Sequence, residues 1–195
     1  MLFRSELAQQ WGYDEIDLNC GCPSERVQRG AFGACLMAEL KLVADCVKAM
    51  KDAVDIPISV KHRLGLDSMD ASTSKTDYQF ALDFILSVAD AGASQVTIHA
   101  RNAVLKGLSP KENRSKPPLR YEVAAQLRLD AQKQFPNLKV LLNGGLESNE
   151  QIAGHWNDFD GFMVGRAAYH FPAMILGWDD LIQTNGDAAG YLFSE

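Results

Sequence analysis

Hydrophobic positions along the 195-residue chain follow two periods that alternate. Short β-rich runs at 15–20 (EIDLNC), 56–61 (IPISVK), 95–100 (QVTIHA), 138–143 (LKVLLN) and 160–165 (DGFMVG) predict strands. The segments between them have helical spacing: Leu40, Val43, Ala44, Val47 and Met50 form one stripe. Tyr78, Ala81, Leu82, Ile85, Val88 and Ala89 form another, stopped by Gly92. Val123, Leu127 and Ala131 mark a third helix, and Ser148 with Gln151 reads as a capping box that opens a fourth. The opening MLFRSELAQQWGYD reads as the last turns of a helix leading into the first strand, and the Ser/Thr-rich Asp67–Asp77 reads as a mobile loop. Strict alternation of strand and helix calls for a parallel sheet, either open and doubly wound or curved into a (β/α)8 barrel.

The strand ends favour the barrel. Polar features fall where each strand runs out: Asn19 with Cys22, Lys61 with Arg63, His99 with Arg101, Asn143-Gly144-Gly145, and Gly165-Arg166. Barrels build active sites at the C-terminal ends of successive strands, whereas an open nucleotide-binding sheet carries a glycine fingerprint after its first strand, which this chain lacks. In the first strand Ile16, Leu18 and Cys20 form an apolar face suited to covering helices, and Asp17 and Asn19 face the other way.

Composition changes this picture little: 47% hydrophobic and 23% charged residues are ordinary for a soluble domain with a sizeable core, and no apolar run has transmembrane length. Charge adds more. The net charge is −6, but residues 101–120 hold six Lys or Arg against one Glu, so that segment carries +5 and the remainder −11. A basic loop on an acidic body suggests either a selective anionic partner or merely a solvated loop. Four cysteines, at 20, 22, 35 and 46, are too few for a disulfide framework, and one residue between Cys20 and Cys22 is short of zinc-ligand spacing. Free thiols in a reducing cytoplasm fit better, without metal and without membrane.

Five motifs carry a family resemblance: DEIDLNCGCPSERVQRGAFGACLM, SVKHRLG, IHARNAVLKGLSPKENRSKPPL, LLNGGLES and GFMVGRAAY, in that order over roughly residues 11–175. Together they resemble a tRNA-dihydrouridine synthase, and LSPKENR resembles its A subfamily. The resemblance implies an α/β fold, a flavin-binding (β/α)8 TIM barrel that reduces a uridine of tRNA to 5,6-dihydrouridine with FMN and a nicotinamide reductant, NADPH or NADH. It makes Cys22 the acid that protonates the uracil ring, with Cys20 and Cys35 as packing residues. It sets Lys61 and His99 against the flavin, and Asn143, Gly144, Gly145, Gly165 and Arg166 around it, where glycine backbone and a cation suit a phosphate. It assigns Lys111 and Arg114 to tRNA and places Asn19 near the target nucleotide; from charge alone, Arg101, Lys106, Lys116 and Arg120 add to the attraction.

The five strands correspond to the family's fourth to eighth. A partial barrel of about five βα units is therefore expected over residues 1–176, with 177–195 a tail that shows no continuing helical pattern, and a C-terminal helical domain absent. Such a remainder is expected to expose two sheet edges and the apolar side chains of LKVLLN and FMVG, favouring self-association. Two other readings remain open at this stage: a flavin barrel reductase acting on a free pyrimidine, and a non-catalytic remnant.

Overall fold

The computed structural model describes residues 2–66, 77–185 and 191–194. It opens with helix α1 (Leu2–Gln10) and continues as β1 (Ile16–Cys20), α2 (Glu25–Arg29), a 3₁₀ helix (Gly33–Ala38), α3 (Leu40–Ala53), β2 (Ile58–Arg63), α4 (Asp77–Asp90) and β3 (Gln95–His99). After a long loop come α5 (Tyr121–Gln134), β4 (Lys139–Asn143), α6 (Asn149–Gly154), β5 (Gly161–Val164), α7 (Arg166–His170), α8 (Trp178–Asn185) and β6 (Tyr191–Ser194). All neighbouring strands are parallel, and their order in the sheet is their order in the chain, β1 to β6. Because α3 packs on α4 and α4 on α5, these helices share one face of the sheet. A singly wound parallel sheet with one helical layer is the wall of a (β/α) barrel; a doubly wound sheet would reverse its strand order.

The five expected strands are all present. The second is displaced toward its C-terminus, to 58–63 instead of 56–61. Pro57 has no N–H to give the ladder, and its carbonyl only accepts from Ile16 N–H at 3.0 Å. One element differs from expectation. Residues 177–195, expected as a tail, contain α8 and a sixth strand, and β6 pairs with β5 from Gly161↔Tyr191 to Val164↔Ser194. The expected loop Asp67–Asp77 lies outside the described residues except for Asp77, which starts α4.

The second correction concerns the sheet's helix-free face. Leu138, Val140, Leu142, Phe162 and Val164 belong to the core between sheet and helices, so most apolar side chains of LKVLLN and FMVG are covered. The other face carries polar rows fixed by register. Arg63, His99, Asn143 and Met163 are successive cross-strand partners, and two residues earlier run Asn19, Lys61, Thr97, Leu141 and Gly161. One row further from the rim, the Ser59 hydroxyl sits between Glu15 Oε1 (2.6 Å) and Asp17 Oδ1 (2.9 Å). Period-2 alternation therefore leaves this face charged and hydrogen-bonded, with Leu141 and Met163 as its apolar members in β4 and β5. No helix among the described residues is long and apolar enough to cross a membrane.

Two buried polar groups set stability. Asp160, at the start of β5, accepts from Arg128 Nε (3.1 Å) and Nη2 (2.8 Å), Gln132 Nε2 (2.8 Å) and Val140 N–H (2.8 Å). Asp160→Ala leaves a half-buried guanidinium and a strand N–H without their acceptor. It should cost about 3 kcal/mol in denaturant unfolding; a loss within about 0.5 kcal/mol, as for an ordinary surface change, would contradict this role. His62, on the helix side of β2, packs on Phe84 with ring centroids 5.1 Å apart, its Nδ1 2.8 Å from the carbonyl of Arg63. Burial pushes its pKa from 6.5 down to about 4. The unfolded chain then binds a proton that the folded chain refuses between those values, so stability falls as pH drops from 6.5 toward 4. His62→Asn should flatten that acid slope by up to about 1.4 kcal/mol per pH unit; equal slopes for variant and parent would rule the assignment out.

Candidate active site

At the end of β1 the chain leaves the sheet through Gly21, Cys22 and Pro23. Asn19 shapes this turn, its side-chain Oδ1 accepting the N–H of Gly21 (3.0 Å) and of Cys22 (3.2 Å). From the far side the Cys22 carbonyl accepts Ala34 N–H at 2.9 Å. Gly33, at φ +72°, closes against it: a Cβ there would stand 2.5 Å from the Cys22 carbonyl oxygen and 3.1 Å from Cys22 Cβ. The backbone of Cys22 is thus held on both sides while its side chain stays half-buried. Cys20 is fully buried in the core, and burial with nearby Asp17 pushes its thiol up to about 12. Cys35 is only half-buried, and its thiol donates to the carbonyl of Phe32 at 3.0 Å.

Arg63, the last residue of β2, joins this turn to the basic loop. Its Nε donates to the carbonyl of Gly21 (2.9 Å), and its Nη1 to those of Asn102 (3.1 Å) and Asn113 (3.0 Å). Asn113 is itself buried and pins the loop: Oδ1 accepts Val104 N–H at 2.8 Å, and Nδ2 donates to the Val104 carbonyl at 2.9 Å. The loop's charge is less available than its composition suggests. Arg101 is buried and bonds the carbonyl of Pro117, Arg120 pairs with Asp77 at 3.3 Å, and Lys116 pairs with Glu112. Lys106, Lys111 and Arg114 stand exposed, as does Lys116 beside its partner Glu112.

A cavity of about 490 Å³ lies across the C-terminal ends of β1 to β5. Ten of the eleven residues expected to carry function line it; the eleventh, Lys111, does not. β1 contributes Asn19 and Cys22, β2 Lys61, β3 His99, β4 Asn143, Gly144 and Gly145, and β5 Gly165 and Arg166, while Arg114 closes it from the basic loop. Arg63, Pro110, Met163, His170 and Phe171 also line it and were missed as site residues. Arg63 was within reach of sequence reasoning, since it lies two residues after Lys61 on one strand and so shares its face.

His99 forms part of the cavity floor. Burial drives its pKa down to about 2, helped by the charges of Arg63, Lys61, Arg101 and Arg166, so the imidazole is neutral. Its Nδ1 is buried without a partner among the described residues. Beside it, Gly144 (φ +101°) lies so close that a Cβ would stand 3.0 to 3.2 Å from three atoms of the His99 ring. The Tyr121 hydroxyl holds this turn by donating to the Gly144 carbonyl at 2.6 Å, and Asn143 Nδ2 ties it to β5 through the carbonyl of Met163 at 2.7 Å. Arg166 begins α7 and donates from Nη2 to the carbonyl of Arg114 at 3.3 Å. The arrangement presents a thiol at one end, a cationic and neutral-imidazole floor, and a glycine turn with an arginine at the other. The unpartnered His99 nitrogen, the glycine cradle and the cations fit a planar ring system joined to an anionic group, as in FMN; among the described residues no cluster of three or more His, Cys, Asp or Glu could hold a metal.

Comparison with known proteins shows the family. Over its full length the chain resembles a candidate lyase/mutase from Burkholderia cenocepacia (TM-score 0.56, 13% identity, 99% of this chain and 64% of that one), a likeness of fold alone. Curated relatives are far nearer in sequence. The tRNA-dihydrouridine(20/20a) synthase of Pseudomonas syringae is 54% identical over 171 residues, covering 88% of this chain and 48% of that protein. Those of Synechocystis (54% over 168 residues, 86% and 47%) and Vibrio parahaemolyticus (52% over 176 residues, 90% and 51%) are alike. The chain spans about half the length of the curated relatives it matches. A family model described as dihydrouridine synthase matches residues 1–188, and with that match and those identities the chain belongs to the dihydrouridine synthase family.

Proposed function

We propose that this cavity is the catalytic centre of a flavin-dependent tRNA-dihydrouridine synthase, which reduces a uridine of tRNA to 5,6-dihydrouridine with FMN as bound cofactor and NADPH or NADH as reductant. The observation that carries the reading is the meeting of Cys22, Lys61, His99 and the Asn143–Gly145 turn on one cavity of about 490 Å³, within the range of small-molecule sites. Relatives named tRNA-dihydrouridine(20/20a) synthase support the substrate class.

The chemistry that FMN supplies when bound is hydride transfer to one carbon of the uracil C5=C6 bond, the electrons coming from the nicotinamide. Cys22 gives its thiol proton to the neighbouring carbon, so the double bond becomes saturated and the thiolate regains a proton from solvent. The Asn19 amide and Gly33 hold that thiol in place by fixing the backbone of Cys22 from both sides. Lys61 and the neutral His99 bind the ring system, with the lysine's positive charge favouring an electron-rich ring. Gly144, Gly145, Gly165 and Arg166 hold the phosphate through backbone N–H groups and the guanidinium. Lys111 and Arg114 bind tRNA phosphates at the rim, and the Nδ2 side of Asn19 is offered to the target nucleotide. Pairing the base inside a helix would keep it from the cavity, so the uridine must leave its stack to react.

In the full-length protein, Cys22→Ala should retain FMN and its reduction by nicotinamide, yet form dihydrouridine at least about 100-fold more slowly. Cys20→Ala, which alters only a core thiol, should stay near the parent. Mass spectrometry of digested tRNA reads the product; a normal rate for the Cys22 variant would remove the thiol from the mechanism.

A further inference from the structure

α2 and the basic loop face each other across a second cavity, of about 530 Å³. Ser24, Glu25, Arg26 and Arg29 line one side, and residues 107–110 the other. Pro110 lines both cavities, so the two adjoin at that residue, and Ser24 stands two residues beyond Cys22. The walls are stitched together beneath by Gln28, whose Nε2 donates to the carbonyls of Pro23 (2.8 Å) and Leu105 (3.1 Å), the latter 77 residues away in sequence.

Its lining cations come from α2, and further cations stand on the basic loop outside the lining. Arg26 and Arg29 are exposed on α2, and Lys106, Lys111 and Arg114 are exposed on the loop opposite. Glu25 is the acidic lining residue. It lies 3.8 Å from Arg29 with both side chains more than 80% exposed (81% and 84%), so water screens the pair and leaves the guanidinium available to another anion. The loop wall is Gly107, Leu108, Ser109 and Pro110, of which Gly107 and Ser109 are small and let a chain approach closely.

We infer that this groove is a binding track for the sugar-phosphate backbone of RNA, with Arg26 and Arg29 contacting phosphates next to the nucleotide whose base enters the first cavity. The inference rests on the reading of the first cavity as a uridine site. A base drawn into that cavity stays covalently joined to both neighbours, so its flanking phosphates must pass out along the adjoining surface. The groove, which shares Pro110 with that cavity, offers them Arg26 and Arg29 on its α2 wall, on a chain whose net charge is −6. Each guanidinium can take two phosphate oxygens at once.

The test is tRNA binding by the full-length protein, followed by fluorescence anisotropy of a labelled transcript from about 50 to about 200 mM salt. Three double variants are compared with the parent: Arg26→Ala with Arg29→Ala, Lys111→Ala with Arg114→Ala, and Lys41→Ala with Lys48→Ala. The last pair lies on the exposed face of α3 and removes the same charge elsewhere. The Arg26/Arg29 variant should bind roughly tenfold more weakly, and its log–log salt slope should be shallower by about 1 to 2, at 0.7 to 0.9 per lost phosphate contact. The Lys41/Lys48 variant should match the parent. Parental affinity and slope for Arg26/Arg29 with weakened binding for Lys111/Arg114 would overturn the groove and leave the uridine reading standing. Parental binding by both would overturn the two together. An equal loss in the Lys41/Lys48 variant would reduce the effect to net charge and overturn the groove as a site.

Discussion

The guanidinium of Arg63 bonds three carbonyls from three separate parts of the chain: the cysteine turn at Gly21, the exit from β3 at Asn102 and the basic loop at Asn113. Gly21 and Asn102 lie outside strand and helix, Asn113 lies in a 3₁₀ turn (Glu112–Arg114), and the end of β2 is where their carbonyls converge. Burial and the nearby cations Arg101 and Arg114 lower the pKa of Arg63 to about 10, which still leaves it charged at neutral pH. A charged donor makes stronger bonds to carbonyls than a neutral one, and losing it would take that donor from two buried contacts and one half-buried contact at once. The positions of Cys22 and of the basic loop therefore depend on one side chain, so the thiol at one side of the cavity and the cations at its rim are held in a common frame.

The same rows that bring Arg63 into place explain the electrostatics. Parallel register sets Arg63, His99 and Asn143 side by side, with Lys61 one step below, and α7 adds Arg166 at the rim. Desolvation and this ring of cations keep His99 neutral. A cavity that is positive on an acidic chain suits an anionic cofactor and an anionic substrate while the rest of the surface repels non-specific nucleic acid. The polar character of the helix-free face follows from the alternation of β2 and β3, where each residue pointing to the helices is apolar or His62 and each pointing away is polar.

Strand and helix positions were legible because the two hydrophobic periods differ clearly, and the cavity was legible because functional groups sit where strands end. What was not legible depends on contacts between distant segments. The sequence counts Arg101, Lys116 and Arg120 as basic, but folding spends them on Pro117, Glu112 and Asp77, so charge composition overstated the loop. Conversely, Arg26 and Arg29 lie in a stretch with no charge excess, and only the stitch through Gln28 sets them opposite the loop. β6 was missed because Tyr191–Ser194 is too short for either period to register, and its strand character comes from pairing with β5. Asn19 was assigned to the nucleotide, yet its Oδ1 is committed to the turn that carries Cys22.

Central to this account is a single cavity in which the glycine turn beside His99 receives the flavin, independently of the thiol. Titrating FMN with the protein and following the quenching of flavin fluorescence tests that most directly, using the parent, Cys22→Ala and Gly144→Val side by side. The account predicts saturable quenching for the parent and for Cys22→Ala, and its loss in Gly144→Val, whose Cβ would press on the His99 ring at 3.0 to 3.2 Å and displace it and the turn. A folded Gly144→Val protein, checked by circular dichroism, that bound FMN as the parent does would contradict it.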